Sequence, residues 1–229
     1  YSFFKLIYQQ LSYYVPDRYA EGYGISINGV DYAKQKNVTL IIALDCGIKE
    51  HKQINYANEL NIDVIVCDHH EPAELPQAYA ILNPKRKDCN YPFKDLSGCG
   101  IGFKLIQAYA LKQQLPLQMA YDFLDLTAIS IAADIVSMTD ENRVLVYYGL
   151  EKINKSPRLG IEWLLQKAGI QKNNEEGLYF TMRIDVNKLV FVIAPRINAA
   201  GRIKHGVQAV ELLLGENLNT IDDMASDLN

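Results

Sequence analysis

Three consecutive side chains that can bind a metal ion, Asp68, His69 and His70, directly follow a short apolar run from Ile62 to Cys67. Carboxylates and imidazoles, completed by water, suit Mn²⁺ or Mg²⁺. Because the run is rich in β-branched residues, we predict a strand that is covered on both faces of a parallel sheet. Ligands of such sheets bind beyond the carboxyl ends of the strands, where these residues lie. For an isolated histidine pair, local hydrogen bonding in a loop is an equally good explanation.

A second acid, Asp45, follows another apolar run, Thr39 to Leu44, which also has the pattern of a buried strand, and it precedes a glycine turn at Gly47. The segment from 50 to 60 between the two runs has a helical pattern, so the strands and the helix form a βαβ unit. Its right-handed crossover brings both strand ends to the same edge of the sheet. We therefore expect Asp45 and Asp68 to converge there with the histidine pair.

The two histidines are expected to have different roles. Adjacent residues that leave a strand point to opposite sides of the sheet. One histidine is therefore predicted to bind the metal ion and the other to contact the substrate.

Asp134 is the remaining candidate for a metal ligand. The apolar spacing from Leu117 to Val136 predicts a buried helix, and Asp134 lies near its end among apolar residues. A buried acid is costly unless it is paired or bound to a metal ion.

Two further segments could contact an anion. Arg196, Asn198 and Arg202 flank a run of small residues, and arginine is suited to bidentate phosphate recognition. Helix capping and salt bridging are the structural alternative for them. The glycines between Ser97 and Lys104 could admit an anion to a helix N-terminus or permit close helix–sheet packing, and the pattern favours neither.

Composition narrows the class of protein. The chain has 229 residues, a formal net charge of −4, 49% hydrophobic and 22% charged residues, as in an ordinary globular protein. A general nucleic-acid binder would more often be basic, so any DNA contact needs a local positive patch. The four cysteines lack CxxC spacing and the density of a secreted scaffold. With no membrane span and no leader, a cytoplasmic protein is expected.

The element pattern predicts an α/β fold, with a mostly parallel sheet flanked by helices and a helical C-terminal portion after about Gly98. A short strand is expected at 12–15 and a third strand of the main sheet at 79–82. Further helices are predicted at 97–114, 117–136, 141–153 and 158–168.

These residues resemble the DHH phosphoesterase superfamily, and within it the RecJ family of exonucleases. Asp68-His69-His70 and Asp45-Cys46-Gly47 carry the metal motifs of the superfamily. The RecJ-like stretches follow in the order of that family: Pro16 to Gly24, Leu82 to Arg86, Leu96 to Lys104, Ala133 to Val136 with Glu141 to Arg143, and Pro195 to Arg202. A triplet alone would be a weak signal, whereas this series covers nearly the whole chain.

The resemblance implies a metal-dependent phosphodiesterase that degrades single-stranded DNA in the 5′→3′ direction to mononucleotides, in DNA repair and recombination. It implies a two-metal site for Mn²⁺ or Mg²⁺. The implied roles are as follows: Asp45 bridges the ions, His69 and Asp134 complete one of them, Asp68 orients the site, His70 contacts the scissile phosphate, and Arg196, Asn198 and Arg202 hold the DNA backbone.

The resemblance also implies a domain organisation. Residues 1–203 would be an N-terminally truncated DHH core, and residues 204–229 the start of a linker helix to a further domain. The first acidic motif of the family, which supplies ligands to the metal pair, would precede Tyr1. On that basis we expect this chain to be nearly inactive by itself.

Two alternatives have different consequences for the sequence. A DHH phosphodiesterase for short oligonucleotides or cyclic dinucleotides would share the metal residues but should lack the stretch from Pro195 to Arg202. A non-catalytic DNA-binding scaffold relative would keep the fold without needing Asp45, His69, His70 and Asp134 intact.

Overall fold

The structure of the protein, a computed structural model, describes residues 1–173, 178–203 and 206–215, with the backbone alone from 200 to 203. The chain divides into two units. One unit is Tyr13–Ala120, and the other combines Tyr1–Ser12 with Tyr121–Asn229. The expected boundary between 203 and 204 stays a prediction, because residues 204, 205 and 216–229 lie outside the described residues.

Three strands and eleven α-helices are formed by the described residues. The strands are β1 (Leu40–Leu44), β2 (Asp63–Cys67) and β3 (Ala80–Leu82). The helices are α1 (Ser2–Lys5), α2 (Ile27–Gln35), α3 (His51–Glu59), α4 (Gly98–Lys112), α5 (Gln118–Tyr121), α6 (Leu124–Ala133), α7 (Asp140–Lys155), α8 (Leu159–Lys167), α9 (Val186–Lys188), α10 (Ala194–Ile203) and α11 (Gly206–Leu214). A π-helical turn, Leu189–Ile193, precedes α10.

The sheet of the Tyr13–Ala120 unit is parallel, in the order β1-β2-β3. Its register pairs Leu44 with Cys67 and Cys67 with Leu82, so all three strands end together. The residues that follow the strands therefore meet at one edge. This confirms the predicted βαβ unit and the predicted third strand.

Burial of the strands is uneven. Val64 and Val66 of β2 are fully buried in a core that also contains Val30 and Ile54 of the neighbouring helices. Burial on both faces was also predicted for β1, and this is wrong. Among the described residues β1 is an edge strand, with Leu40 and Leu44 exposed.

Two other predicted elements differ from the structure. The strand expected at 12–15 is absent: this segment pairs with none of the three strands, and its Tyr14 hydroxyl donates to Glu21 of the following loop at 2.7 Å. The helix expected at 117–136 is interrupted between α5 and α6. Just after the break Asp125 is fully buried, where it accepts two hydrogen bonds of 2.8 Å from Arg158.

In the unit that contains Tyr121–Asn229, helices α6 and α7 pack closely against each other. A Cβ at Gly149 of α7 would lie within 3.0 Å of the Leu124 carbonyl, so a side chain there would separate the two helices. No helix among the described residues is long and apolar enough to cross a membrane.

Candidate metal centre

Asp45 is the first residue after β1, and its backbone is left-handed, with φ of 62°. Aspartate tolerates this conformation better than most residues because its short side chain can hydrogen-bond locally. The Asp45 N–H donates to the Cys67 carbonyl at 2.8 Å, which continues the pairing of β1 with β2. The left-handed turn leaves the carboxylate half exposed at the edge of the sheet.

His69 faces Asp45 across this edge. Its Nδ1 lies 3.1 Å from the Leu96 carbonyl oxygen, and its Nε2 lies 3.2 Å from Asp45 Oδ1. A carbonyl can only accept, so Nδ1 carries a proton and, in the neutral ring, Nε2 has a lone pair directed at the carboxylate. Two acceptors at this distance repel unless a proton or a metal ion lies between them. Histidine ligands of metal ions are usually oriented in this way, through the other ring nitrogen.

Asp68 is buried and holds both His70 and the loop after β1. Asp68 Oδ1 accepts from the His70 N–H at 3.1 Å and lies 2.7 Å from His70 Nδ1, while Oδ2 accepts from the Ile48 N–H at 3.0 Å. Burial favours a raised pKa of Asp68, but these hydrogen bonds outweigh it and lower the pKa. An ionised Asp68 therefore keeps the proton of His70 on Nδ1 and leaves Nε2 on the opposite side of the ring.

The ligand atoms of Asp45, His69 and His70 all lie within 4.8 Å of one another, and these residues form the one group of three or more possible metal ligands among the described residues. The two imidazole rings are 4.7 Å apart between centroids. Our expectation that they point to opposite sides is wrong, because β2 ends at Cys67 and its pleat does not continue through the histidines.

The donor set fits a hard or borderline divalent ion. Two neighbouring ligands of an octahedral ion with bonds of about 2.1 Å lie about 3.0 Å apart, close to the 3.2 Å between Asp45 Oδ1 and His69 Nε2. Burial raises the pKa of the nearby Cys46 and Cys67 thiols to about 12. Neither thiol belongs to the ligand group, whose donors are carboxylate oxygen and imidazole nitrogen atoms.

Asp134 lies in the other unit, directly after α6, where its Oδ2 accepts from Ser130 Oγ at 3.3 Å. The expectation that Asp134 is buried is wrong. It follows the last residue of α6, so it leaves the apolar face of that helix and is exposed. The physical argument for a metal ligand is thereby lost, and the ligand role now rests on the resemblance alone.

The three residues expected to hold DNA lie in α10, at positions that helical spacing places on more than one face of the helix. Arg196 is exposed, and its Nη1 donates to the Val192 carbonyl at 2.9 Å, four residues earlier in the chain. Asn198 is exposed on α10, and Arg202 lies four residues later on the same face. The side chain of Arg202 lies outside the described residues. Helical spacing places Arg196, two residues before Asn198, on a different face.

Sequence reasoning missed the residues that support the site. Glu50 Oε2 accepts from the N–H groups of Gly47 and Lys49, at 2.9 and 3.1 Å, and so closes the loop after Asp45. A Cβ at Gly98 would lie within 3.0 Å of the Asp45 carboxylate. Asn83 contacts the backbone of His70. A polar residue directly after β3 was the available signal for Asn83, but nothing in the sequence showed its partner.

Comparison with known proteins identifies the family. Residues 1–131 match the model of the DHH family, N-terminal domain. The chain belongs to the DHH family. It is 40% identical to the single-stranded-DNA-specific exonuclease RecJ of Bacillus subtilis, over 96% of this chain and 26% of that protein. It is 35% identical to the RecJ exonuclease of Escherichia coli, over 96% of this chain and 38% of that protein. The chain thus spans well under half the length of these relatives.

Solved structures of RecJ have the same fold. A crystal structure of exonuclease RecJ bound to manganese matches with a TM-score of 0.79 and 29% identity, over 94% of this chain and 51% of that chain. A crystal structure of RecJ from Thermus thermophilus in complex with Mn²⁺ matches with a TM-score of 0.73 and 28% identity, over 89% of this chain and 29% of that chain. The DHH-type α/β fold predicted from the sequence is confirmed.

Proposed function

We propose that this chain is the DHH core of a single-stranded-DNA-specific exonuclease that requires Mn²⁺ or Mg²⁺. The observation that carries the proposal is the close approach of Asp45 Oδ1 and His69 Nε2, 3.2 Å apart at the carboxyl edge of the sheet and next to His70. The named activity of the RecJ relatives and the manganese in two structural neighbours support it. The proposed reaction is hydrolysis of phosphodiester bonds from the 5′ end, which releases mononucleotides.

In this proposal each side chain has a separate task. Asp45 and His69 would hold a metal ion, and the resemblance implies Asp134 as a further ligand. A bound divalent ion supplies a more acidic water and neutralises charge on the phosphate. His70 contacts the scissile phosphate through Nε2, because Asp68 occupies Nδ1 at 2.7 Å. Arg196, Asn198 and Arg202 contact the DNA backbone, as the resemblance implies.

The first experiment measures metal binding by the chain itself. Titration with Mn²⁺ in a calorimeter should give a saturable site, and His69→Ala should weaken its affinity at least tenfold, because one of few protein ligands is lost. His51→Ala is the matched control, since His51 begins α3 and does not belong to the ligand group. Equal affinities of the two variants would refute the metal centre.

The second experiment measures turnover, in a protein of the relatives' length that contains this chain. With Mn²⁺, single strands labelled at the 3′ end should shorten progressively, while duplex DNA of the same sequence should persist. Cleavage of dinucleotides or cyclic dinucleotides in preference to long strands would instead indicate a small-substrate phosphodiesterase. Strand binding without hydrolysis would indicate a scaffold.

The proposed contacts with DNA have their own test. Arg202→Ala should weaken single-strand binding and reduce its dependence on salt concentration, because each phosphate contact releases counterions. Arg196→Ala is the informative companion, since its guanidinium already donates to Val192. Unchanged binding by both variants at every salt concentration would leave these arginines with a structural role.

A cytoplasmic location and a role in DNA repair and recombination belong to the same proposal. None of the four cysteines forms a disulfide, which is compatible with a reducing compartment. Cell fractionation would test the location, and recovery in a membrane or secreted fraction would contradict it.

A further inference from the structure

Asn83 is a buried amide that connects the third strand to the histidine pair. It follows the last residue of β3 and is 3% exposed. Its Nδ2 donates to the His70 carbonyl at 2.8 Å, and its Oδ1 accepts from the Lys85 N–H at 2.8 Å. Pro84 follows it and disfavours a helical backbone at Asn83, which keeps this residue extended at the end of the strand.

The backbone of His70 is thereby held from two sides. Asp68, at the end of β2, accepts from the His70 N–H at 3.1 Å and lies 2.7 Å from the ring Nδ1. Asn83, directly after β3, donates a hydrogen bond to the His70 carbonyl. Asp68 therefore fixes the rotation of the His70 ring. The backbone of His70 is held to the sheet by residues that follow both β2 and β3, namely Asp68 and Asn83.

We propose that Asn83 is a positioning residue for His70, and that it sets the place of the imidazole from which the scissile phosphate is contacted. This deepens the proposed function and rests on it for its effect on turnover. The amide of Asn83 satisfies both partners, because the His70 carbonyl needs a donor and the Lys85 N–H needs an acceptor. A carboxylate at this position keeps the second bond and replaces the first by repulsion between two oxygens.

If Asn83 had a purely structural role, replacing it would affect stability alone, as would replacing any buried asparagine. Asn154 is a matched control for this comparison. Asn154 is also buried, and its Nδ2 donates to the carbonyls of Leu150 and Ile184 at 2.9 and 2.8 Å. Its Oδ1 accepts from the Ile184 N–H at 2.8 Å. Asn154→Asp therefore imposes the same chemical change as Asn83→Asp, in the other unit and without a contact to the histidine pair.

The experiment compares these two variants by melting temperature, by the ¹⁵N-coupled imidazole signals of His70 in nuclear magnetic resonance, and by kcat and KM on single-stranded DNA with Mn²⁺. Both variants should melt at a lower temperature. Only Asn83→Asp should shift the His70 signals and lower kcat, by at least tenfold, because small displacements of a reacting group have large effects on rate. Asn83→Ser, whose hydroxyl is too short to reach the His70 carbonyl, should give the same result if the aspartate variant does not fold.

His70 signals at their wild-type positions in both Asn83 variants would overturn the proposal. So would a kcat within twofold of wild type, or an equal loss of kcat in Asn154→Asp. If the wild-type protein of the relatives' length has no nuclease activity, the proposed function fails, whereas the imidazole signals of the 229-residue chain still decide the role of Asn83.

Discussion

At Asp45 and His69 a carboxylate oxygen and a ring nitrogen lie 3.2 Å apart, and when the histidine is neutral both atoms are hydrogen-bond acceptors. A protein rarely keeps such a pair unless a positive charge is shared by both. The Leu96 carbonyl creates the arrangement by taking the proton of Nδ1 at 3.1 Å. The residue types were predictable from the sequence, but the proton position was not, because it depends on a carbonyl 27 residues away in the chain.

Asp45→Asn tests this pair directly. Asparagine adopts a left-handed backbone readily, and its amide can donate to His69 Nε2 in place of the repelling carboxylate. At pH 8, where histidine is ordinarily neutral, we expect the metal-free variant to melt about 2–4 °C above the wild type, as about 1 kcal/mol would give. Mn²⁺ should no longer raise the melting temperature. Asp63→Asn, at the exposed start of β2, is the control. A lower melting temperature of Asp45→Asn would indicate a protonated His69 instead.

Glu21 gives a pH-dependent prediction outside the metal centre. Burial favours a higher pKa, but hydrogen bonds from Ser26, the Asp17 amide and Tyr14 outweigh it and lower the pKa of Glu21 below the ordinary 4.5. A carboxyl group with a lowered folded-state pKa stabilises the protein above its unfolded pKa, and this contribution disappears as the pH falls through the folded pKa. Glu21→Gln should therefore cost about 1 kcal/mol of unfolding free energy at pH 7.

Chemical denaturation over a pH series provides the measurement for Glu21. The difference between wild type and Glu21→Gln should shrink below pH 4.5 and vanish in stronger acid. Glu74→Gln serves as an exposed control and should change little at any pH. A constant difference across the series would show that the charge of Glu21 is not responsible.

At the scale of elements, residues at the beginning of α4 contact both Asp45 and His69 and so fix their positions. Ser97 caps the helix by accepting from the Gly100 N–H at 3.1 Å. The residue before the cap, Leu96, supplies the carbonyl that orients His69, and the residue after it, Gly98, lies against Asp45. The Ser-Gly-x-Gly pattern was compatible with an anion site or with close packing, and the structure shows close packing.

Gly98→Ala should damage the metal centre without damaging the helix. The new Cβ would collide with the Asp45 carboxylate, so we expect at least a tenfold loss of Mn²⁺ affinity. Gly102→Ala in the same helix is the matched control, because its Cβ would meet the Leu44 side chain at 3.2 Å, a flexible and exposed neighbour. Alanine favours a helix over glycine by about 1 kcal/mol, so both variants should stay folded. Equal affinities would contradict the contact.

Prediction from sequence succeeded for elements whose signal is local and failed where a distant partner decides. The apolar runs of β1 and β2 with the helix between them were sufficient for the βαβ unit. The break before α6 was not predictable, because residues on both sides of it, Asp122 and Asp125, bind Arg158, which lies more than 30 residues away in the chain and gives no local signal. The prediction that the side chains of His69 and His70 point to opposite sides was wrong because it assumed that the strand continues past Cys67, whereas β2 ends there.

At the scale of the whole molecule, the site residues predicted from the sequence are distributed over both units. Asp45, His69 and His70 belong to the Tyr13–Ala120 unit, whereas Asp134 and Arg196 belong to the other. Net charge is the other global property, and at −4 it opposes rather than assists the approach of a DNA strand. Binding of DNA would therefore depend on local cations and bound metal ions.

Asp134→Ala measures whether the second unit contributes to the metal centre. If Asp134 is a ligand, as the resemblance implies, the variant should bind Mn²⁺ several-fold more weakly than the wild-type chain, since a charged ligand is lost. Asp140→Asn, another exposed acid of that unit, is the control. Calorimetric titration distinguishes the outcomes, and an unchanged affinity would remove Asp134 from the ligand set.

The left-handed backbone of Asp45 also limits how this protein can change by inheritance. Most replacements at a residue with φ of 62° strain the turn, whereas asparagine and glycine accept it. Both are reached from an aspartate codon by a single nucleotide substitution. Descendants of this chain can therefore lose the carboxylate in one step and still keep the sheet, the loop and the histidine pair intact. Relatives that keep the fold without an aspartate at this position should accordingly carry asparagine or glycine there more often than any other residue.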